Sequence, residues 1–204
     1  MEFGEVVRKR RMVRRYSSAP VDGTSVDRLL RNAVRAPSAG HTQGWAFLVL
    51  EQRADVDLFW EAATPPSRAA EPDPWLRGMR SAPVVIVPLS SKGAYLDRYA
   101  EADKGWTDRD ETRWPVPYWH VDAGMASLLI LLTSVDEGLG ACFFGIPEGR
   151  VAALRAAFGV PSQYTPVGAI TVGHADGAGQ VRGSAATRKR RLADDVIHRG
   201  RWSG

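Results

Sequence analysis

Ten of the 27 Lys and Arg residues lie in two short basic segments near opposite ends of the chain. The first runs from Arg8 to Arg15, and the second is Arg188-Lys189-Arg190-Arg191. Elsewhere 17 basic residues face 23 acidic ones, so the positive charge is concentrated in these two places. Guanidinium groups suit phosphate oxygens, to which they donate paired hydrogen bonds. If folding joins the two segments, they predict a pocket for a strongly anionic group, most naturally a phosphate.

The basic segments also have a second interpretation, as solvated faces or as a nucleic-acid patch. A net charge of +4 is compatible with a polyanionic partner. This reading leads to a non-catalytic nucleic-acid or anion-binding module, whose affinity would fall steeply with salt. This binding module is the alternative to the phosphate pocket. Our main expectation is the pocket, and with it that the protein binds no nucleic acid.

Few other residues have the spacing of a chemical site. The four histidines are scattered without metal-ligand spacing, so we expect no metal. Cys142 lies in an apolar run and should be a buried strand residue rather than a nucleophile. His120 and Asp122 are expected to cap a helix or lie at the surface. The glycines from Gly138 to Gly145 follow a helix and lack the spacing of a dinucleotide fingerprint. We therefore expect no catalytic side chain.

Length and composition predict one domain over residues 1–204. A hydrophobic content of 44% is enough for a sizeable core. No apolar stretch follows the N-terminal charges, and the run 123–135 is too short to span a bilayer. With a single cysteine, the sequence is typical of a cytoplasmic protein that does not enter membranes.

Hydrophobic periodicity predicts alternating helices and strands. Phe3, Val6 and Val7 predict a short first helix that ends in the first basic segment. A second helix is expected to begin with a cap at Thr24 or Ser25 and to carry an apolar stripe that includes Val34. Further helices are expected over about 56–63, 121–137 and 148–158. Strands are expected at 45–51, 83–90, 141–144 and 167–172. A loop with four prolines separates the first two strands, and an aromatic excursion or lid covers 93–119. A C-terminal arm covers 184–204. The order indicates a mixed α/β or α+β fold.

Four segments together resemble the nitroreductase family of FMN-dependent oxidoreductases. They are, in chain order, Arg10-Arg11-Met12-Val13-Arg14-Arg15-Tyr16, then Ala36-Pro37-Ser38-Ala39-Gly40-His41-Thr42-Gln43-Gly44-Trp45, then Asp122-Ala123-Gly124 with the later Gly138-Leu139-Gly140-Ala141-Cys142, and finally the second basic segment. Their order and spacing match the family over nearly the whole chain.

This resemblance implies an α+β fold, with a mostly antiparallel central sheet flanked by helices, in an intertwined homodimer. FMN would be the cofactor and NADH or NADPH the electron donor, and each flavin would touch both chains. The cofactor-binding residues carried over by position are Arg10, Arg11, Met12, Arg14, Pro37, Ser38, Ala39, Gly40, His41, Gln43, Phe144, Gly145, Ile146, Arg188 and Arg190. Among these, the arginines would meet the phosphate, ribityl chain and pyrimidine edge, and Phe144 to Ile146 would back the ring.

The resemblance also implies hydride transfer through the flavin to a small, flat, electron-poor acceptor such as a nitroaromatic or a quinone. Trp114 and Trp119 of the excursion are the predicted substrate-wall residues, and packing at the dimer edge is the equal alternative for this aromatic stretch. Met12, His41 and Gly44 depart from the usual serine, asparagine and proline of the family's motifs. The same fold with a deazaflavin or another specialised flavin role is a further alternative.

Overall fold

A five-stranded sheet with helices on both faces forms the body of the protein. The computed structural model describes residues 1–177, 184 and 187–202. Residues 178–183, together with residues 185–186 and 203–204 of the predicted C-terminal arm, therefore lie outside the described residues.

The sheet is antiparallel throughout, and four of its strands follow the order β1-β2-β5-β3. Its strands are β1 (Trp45–Leu50), β2 (Val84–Ser90), β3 (Gly140–Phe144), β4 (Thr165–Pro166) and β5 (Ala169–Gly173). The short β4 pairs with the end of β2, and it was not predicted. Strands β1 and β3 stand at opposite edges of the four-strand path, and the start of β1 lies at the same end of the sheet as the end of β3.

Eight α-helices occupy the described part of the chain. They are α1 (Phe3–Lys9), α2 (Gly23–Ala33), α3 (Arg53–Ala63), α4 (Pro66–Ala70), α5 (Pro74–Arg80), α6 (Lys92–Ala100), α7 (Tyr118–Asp136) and α8 (Glu148–Phe158). The mixed fold with an antiparallel sheet is thereby confirmed. Every predicted helix and strand is present within a few residues of its expected ends.

The core has two layers because β2 alternates its side chains between the two faces of the sheet. Val85, Val87 and Leu89 pack with residues of α3, α5 and α8. Val84 and Ile86 pack with residues of α2 and α7 on the other face. By length and apolar composition α7 could cross a membrane. Its packing against α2 and the sheet instead makes it the central helix of the second layer.

Three local predictions were wrong. Asp22, rather than Thr24 or Ser25, caps α2 by accepting a hydrogen bond from the Thr24 N–H at 3.0 Å. Val34 lies just past the helix end and is exposed. The four-proline loop contains α4 and α5, because proline fits the first turn of a helix, where its missing N–H costs nothing.

Candidate functional site

The second half of the first basic segment, together with Tyr16, forms an extended stretch (residues 12–16). This stretch begins against the edge strand β3. Met12 pairs with Ala141, and the Val13 N–H donates to the Ala141 carbonyl at 3.0 Å. Tyr16 anchors the end of the stretch, since its buried hydroxyl contacts the Val13 carbonyl at 2.7 Å and Thr171 Oγ1 at 2.8 Å. Burial raises the pKa of Tyr16, so this anchor keeps its proton at any physiological pH. The arginines around Met12 are thereby fixed to the sheet.

A cavity of about 730 Å³ brings the two basic segments together. Its described lining residues include Arg8, Lys9, Arg10 and Arg11 from the first segment and Arg190 from the second. The backbone around Gly138 to Gly140 and the end of α7 form the rest of the wall. None of the described lining residues is acidic.

The charge in this cavity is largely uncompensated within the described part of the chain. Lys9 pairs with Glu5 at 2.6 Å, and the Met1 amino group pairs with Asp136 at 2.6 Å. No acidic side chain of the described residues lies within ion-pair distance of the four lining arginines, Arg8, Arg10, Arg11 and Arg190. Close like charges repel, so the arrangement fits a bound polyanion such as a phosphate monoester.

Two other predicted arginines lie outside this cavity. Arg188 is exposed and is not among the described lining residues. Arg14 is half-buried beyond Val13, and its guanidinium lies 3.4 Å from the Met12 carbonyl. A second cavity of about 410 Å³ follows along the same stretch, and its wall includes Tyr16 and Arg77.

The end of β3 carries Phe144, Gly145 and Ile146 into a small aromatic recess of about 50 Å³. The Phe144 ring stacks on Trp60 with centroids 5.5 Å apart and planes 6° from parallel. Trp75 meets the edge of the same ring at 5.5 Å, and Arg68 covers Trp75. Sequence reasoning missed Trp60 and Trp75, which lie on α3 and α5 and become neighbours of Phe144 only through tertiary packing.

The remaining predicted residues form a loop at the opposite edge of the sheet. This loop, residues 37–43, leads into β1, which is three inter-strand spacings from β3, or about 14 Å. Its hydrogen bonds to other elements run to α6 and α7. The predicted loop residues therefore lie close to one another, but within a single chain they are distant from Arg10 and Phe144. They are Pro37, Ser38, Ala39, Gly40, His41 and Gln43.

Backbone strain is concentrated in the 37–43 loop. His41 and Gln43 have φ values of 54° and 53°, and Gly40 has a φ of 60°. Left-handed backbone costs about 1–3 kcal/mol for each residue other than glycine, and persists only where neighbouring structure enforces it. Ser38 Oγ accepts from the Gln43 N–H at 2.9 Å, and the Thr42 hydroxyl donates to the Ala39 carbonyl at 2.6 Å.

Asp122 ties this loop to the rest of the protein, and our prediction of a capping or surface role for it was wrong. Its side chain is buried, and Oδ2 accepts from the Ala39 N–H at 2.8 Å and from the Tyr95 hydroxyl at 2.7 Å. Burial and the Asp122 carboxylate raise the pKa of Tyr95, so the phenol remains a donor. A charged residue inside an otherwise apolar helix was the sequence signal for this role.

His120, two residues before Asp122, is half-buried rather than exposed. Its Nδ1 lies 2.9 Å from Ser90 Oγ, and burial lowers the pKa of the imidazole. The neutral ring therefore links the start of α7 to the end of β2.

The aromatic excursion packs into a cluster instead of forming an open lid. Trp114 has ring contacts with Tyr95, Tyr99, Trp106, Tyr118 and Trp119 at centroid distances of 4.5 to 6.2 Å. Tyr95 is fully buried, so this residue of the predicted surface excursion belongs to the core. Trp114 and Trp119 are half-buried beside the start of α7, on the same side as the 37–43 loop. Their substrate role stays a prediction.

Comparison with known proteins gives consistent results over nearly the full length. The family model described as "Nitroreductase family" matches residues 7–174. A provisionally named NADH dehydrogenase/NAD(P)H nitroreductase of Methanothermobacter thermautotrophicus is 27% identical over 176 residues, which cover 85% of this chain and 78% of the relative.

Solved structures show the same fold. A nitroreductase family protein of Streptococcus pneumoniae has a TM-score of 0.73 at 20% identity, covering 97% of this chain and 99% of its own. A provisionally named nitroreductase of Desulfovibrio desulfuricans, solved with FMN, has a TM-score of 0.70 at 22% identity, covering 100% and 99%. The family match spans the basic stretch, the 37–43 loop and the end of β3, and so the chain belongs to the nitroreductase family.

Proposed function

We propose that this protein is an FMN-dependent oxidoreductase that moves hydride from NADH or NADPH to a flat, electron-poor acceptor. The observation that carries the proposal is the cavity where Arg190 joins Arg8, Arg10 and Arg11 without a described acidic partner. Family membership and the structural relative solved with FMN support the choice of flavin over other phosphorylated ligands.

The residues present fit FMN by their chemistry. Arg10, Arg11 and Arg190 offer guanidinium donors for the phosphate, and the extended stretch from Met12 to Arg14 leads from there along β3. Phe144 to Ile146 at the end of β3 offer apolar and backbone surface for a flat ring. When bound, the flavin would supply the redox chemistry, which side chains cannot provide. The chain's own residues would hold and orient it.

Cationic residues near the ring would favour a reduced, anionic flavin. Arg14 is half-buried, and Arg77 lines the neighbouring cavity. A positive charge in such a partly desolvated position stabilises a nearby anion more strongly than it would in bulk water. Arg188 is proposed to add long-range attraction, since it lies two residues from Arg190.

The working form is proposed to be a homodimer, because the predicted flavin contacts stand at opposite edges of one sheet. A second chain would bring its 37–43 loop, with Trp114 and Trp119 beside it, to the β3 edge of the first, where the ring is proposed to bind. Helix α7 offers an apolar stripe for such a contact, in which Tyr118, Val121 and Leu128 are 40–48% exposed. Leu192, Ile197 and Trp202 of the C-terminal arm are exposed as well.

The dimer is tested by Leu128→Glu, with Leu58→Glu on α3 as the matched control, since both leucines are partly exposed. Light scattering after size exclusion should show a dimer for the parent protein and for Leu58→Glu. Leu128→Glu should be monomeric and should not retain FMN. A Leu128→Glu dimer with full flavin content would contradict the proposed interface.

The function is tested by reconstitution. Apo-protein is mixed with FMN, gel-filtered, and titrated with NADH or NADPH without oxygen. A protein that retains flavin absorption, loses it on titration, and regains it on addition of a quinone would agree with the proposal. A colourless protein that binds no FMN, with salt-sensitive affinity for nucleic acid, would support the binding-module alternative instead. Retention of a deazaflavin but not FMN would support the other alternative, in which the same fold binds a deazaflavin.

A further inference from the structure

We propose that Asp122, Tyr95 and Arg98 are positioning residues that hold the 37–43 loop in its strained conformation for contact with the flavin. This inference rests on the proposed function. It concerns how the excursion, which follows β2 in the chain, controls a loop that precedes β1.

Two hydrogen bonds hold the loop to α7 and to the excursion, and a third joins the excursion to α7. The Ala39 N–H and the Tyr95 hydroxyl converge on the same oxygen of Asp122, at 2.8 and 2.7 Å. The Arg98 Nε–H donates to the Gly40 carbonyl at 3.0 Å. The loop is therefore held at an N–H and at a carbonyl on two consecutive residues.

Each of these three side chains is itself held in place. Asp122 is 1% exposed, and Tyr95 is fully buried with its ring against Trp114 and Trp119. The other guanidinium nitrogens of Arg98 are bound by Asp103 at 2.6 and 2.8 Å and by Glu101 at 3.1 Å. Such support by neighbouring groups is what preorganises a binding residue.

The departure of Gly44 from the family's proline is explained by this arrangement. A Cβ atom at position 44 would lie 2.5 Å from Cε2 of Tyr95, a distance that no side chain tolerates. A Cβ at position 40 would likewise lie 2.8 Å from Tyr99. The aromatic rings of α6 can approach the loop because both positions are glycine.

The two strained residues, His41 and Gln43, lie between the anchored residues Ala39 and Gly40 on one side and Gly44 on the other. His41 and Gln43 are exposed, so packing of their own side chains does not fix their left-handed backbone. The energy that holds them comes from hydrogen bonds within the loop, such as that from the Gln43 N–H to Ser38 Oγ at 2.9 Å, and from the neighbouring anchored residues Ala39, Gly40 and Gly44. Without the anchors the loop should relax, and its contact with a flavin bound by the partner chain should weaken.

The test compares two matched pairs of variants by FMN affinity. Tyr95→Phe removes the hydroxyl that meets Asp122, whereas Tyr99→Phe removes one that forms no hydrogen bond among the described residues, on the same helix. Arg98→Met removes the donor to Gly40, whereas Arg109→Met removes an exposed arginine of the excursion that pairs only with Asp97 at 2.7 Å among the described residues. Asp122→Asn keeps an oxygen acceptor at the centre of the network.

Tyr95→Phe and Arg98→Met should each raise the FMN dissociation constant about tenfold, which is about 1.4 kcal/mol. Their controls should change it by less than twofold, and Asp122→Asn should lie closer to the parent protein than Asp122→Ala does. The visible circular dichroism of the bound flavin should change in Tyr95→Phe, Arg98→Met and Asp122→Ala, and should stay unchanged in Tyr99→Phe and Arg109→Met. Measurements well below each melting temperature separate positioning from general stability.

Equal flavin affinity and an unchanged flavin spectrum in Tyr95→Phe and Arg98→Met would overturn the inference while leaving the proposed function intact. If Tyr95→Phe does not fold, Arg98→Met decides, because its side chain is partly exposed. If the parent protein itself binds no FMN, the failure belongs to the proposed function instead.

Discussion

Replacement of Arg190 by methionine tests whether the C-terminal basic segment binds the phosphate of FMN. Arg190 lines the cavity without a described acidic partner, so its charge is available to a ligand. A hydrogen bond to a charged group contributes about 1.5–3 kcal/mol, and the exposure of Arg190 places it at the lower end of that range. The FMN dissociation constant should therefore rise about tenfold.

Riboflavin provides the internal control, since it has the same ring without the phosphate. Quenching of flavin fluorescence on titration of apo-protein gives both dissociation constants. Arg190→Met should weaken FMN binding and leave riboflavin binding within about twofold. Arg201→Met, an exposed arginine farther along the same arm, should change neither constant.

Equal losses for FMN and riboflavin would show that Arg190 acts on the ring or on the fold. No loss for either ligand would show that the phosphate binds elsewhere. The affinity difference between FMN and riboflavin should also shrink as salt rises, because salt screens an exposed charge pair.

Three further substitutions test the packing that supports the site. Gly44→Ala should lower the free energy of unfolding in urea by about 1–3 kcal/mol, because its Cβ would meet Tyr95. The control Gly23→Ala, whose Cβ would have no atom within 4 Å, should change the free energy of unfolding by less than about 0.5 kcal/mol. Equal effects of the two substitutions would refute the close approach of Tyr95 to Gly44. Phe59→Ala, fully buried, should cost about 3–5 kcal/mol, whereas a similar cost for the exposed Phe3→Ala would contradict the core assignment. Burial lowers the pKa of His120 in the folded protein, so the unfolded chain takes up the proton first as the pH falls. The free energy of unfolding should therefore decrease as the pH drops below about 6.5. In urea titrations between pH 5 and 8, His120→Gln should weaken this pH dependence, and an unchanged pH dependence would place the titrating group elsewhere.

Much of the fold follows from local sequence signals. Alternation and apolar runs located four strands, and periodicity with capping and breaking residues located the longer helices. One error arose because proline has two uses. The four prolines indicated a loop, yet Pro66 and Pro74 occupy the first turns of helices.

The candidate site was predictable only in part, because its geometry depends on contacts between distant segments. The clustering of Arg10 and Arg190 was expected from charge, and the structure brings them to one cavity. The burial of Asp122 was not expected, since its partners Tyr95 and Ala39 are far apart in sequence. The aromatic recess around Phe144 was missed for the same reason.

A crystal structure of the protein soaked with FMN tests the central proposal most directly. The phosphate should lie within hydrogen-bond distance of Arg10 and Arg190, with the ring beside Phe144 to Ile146 and the 37–43 loop of a second protomer against it. A phosphate bound where neither arginine can reach it, or a flavin held wholly by one chain, would contradict the proposed site.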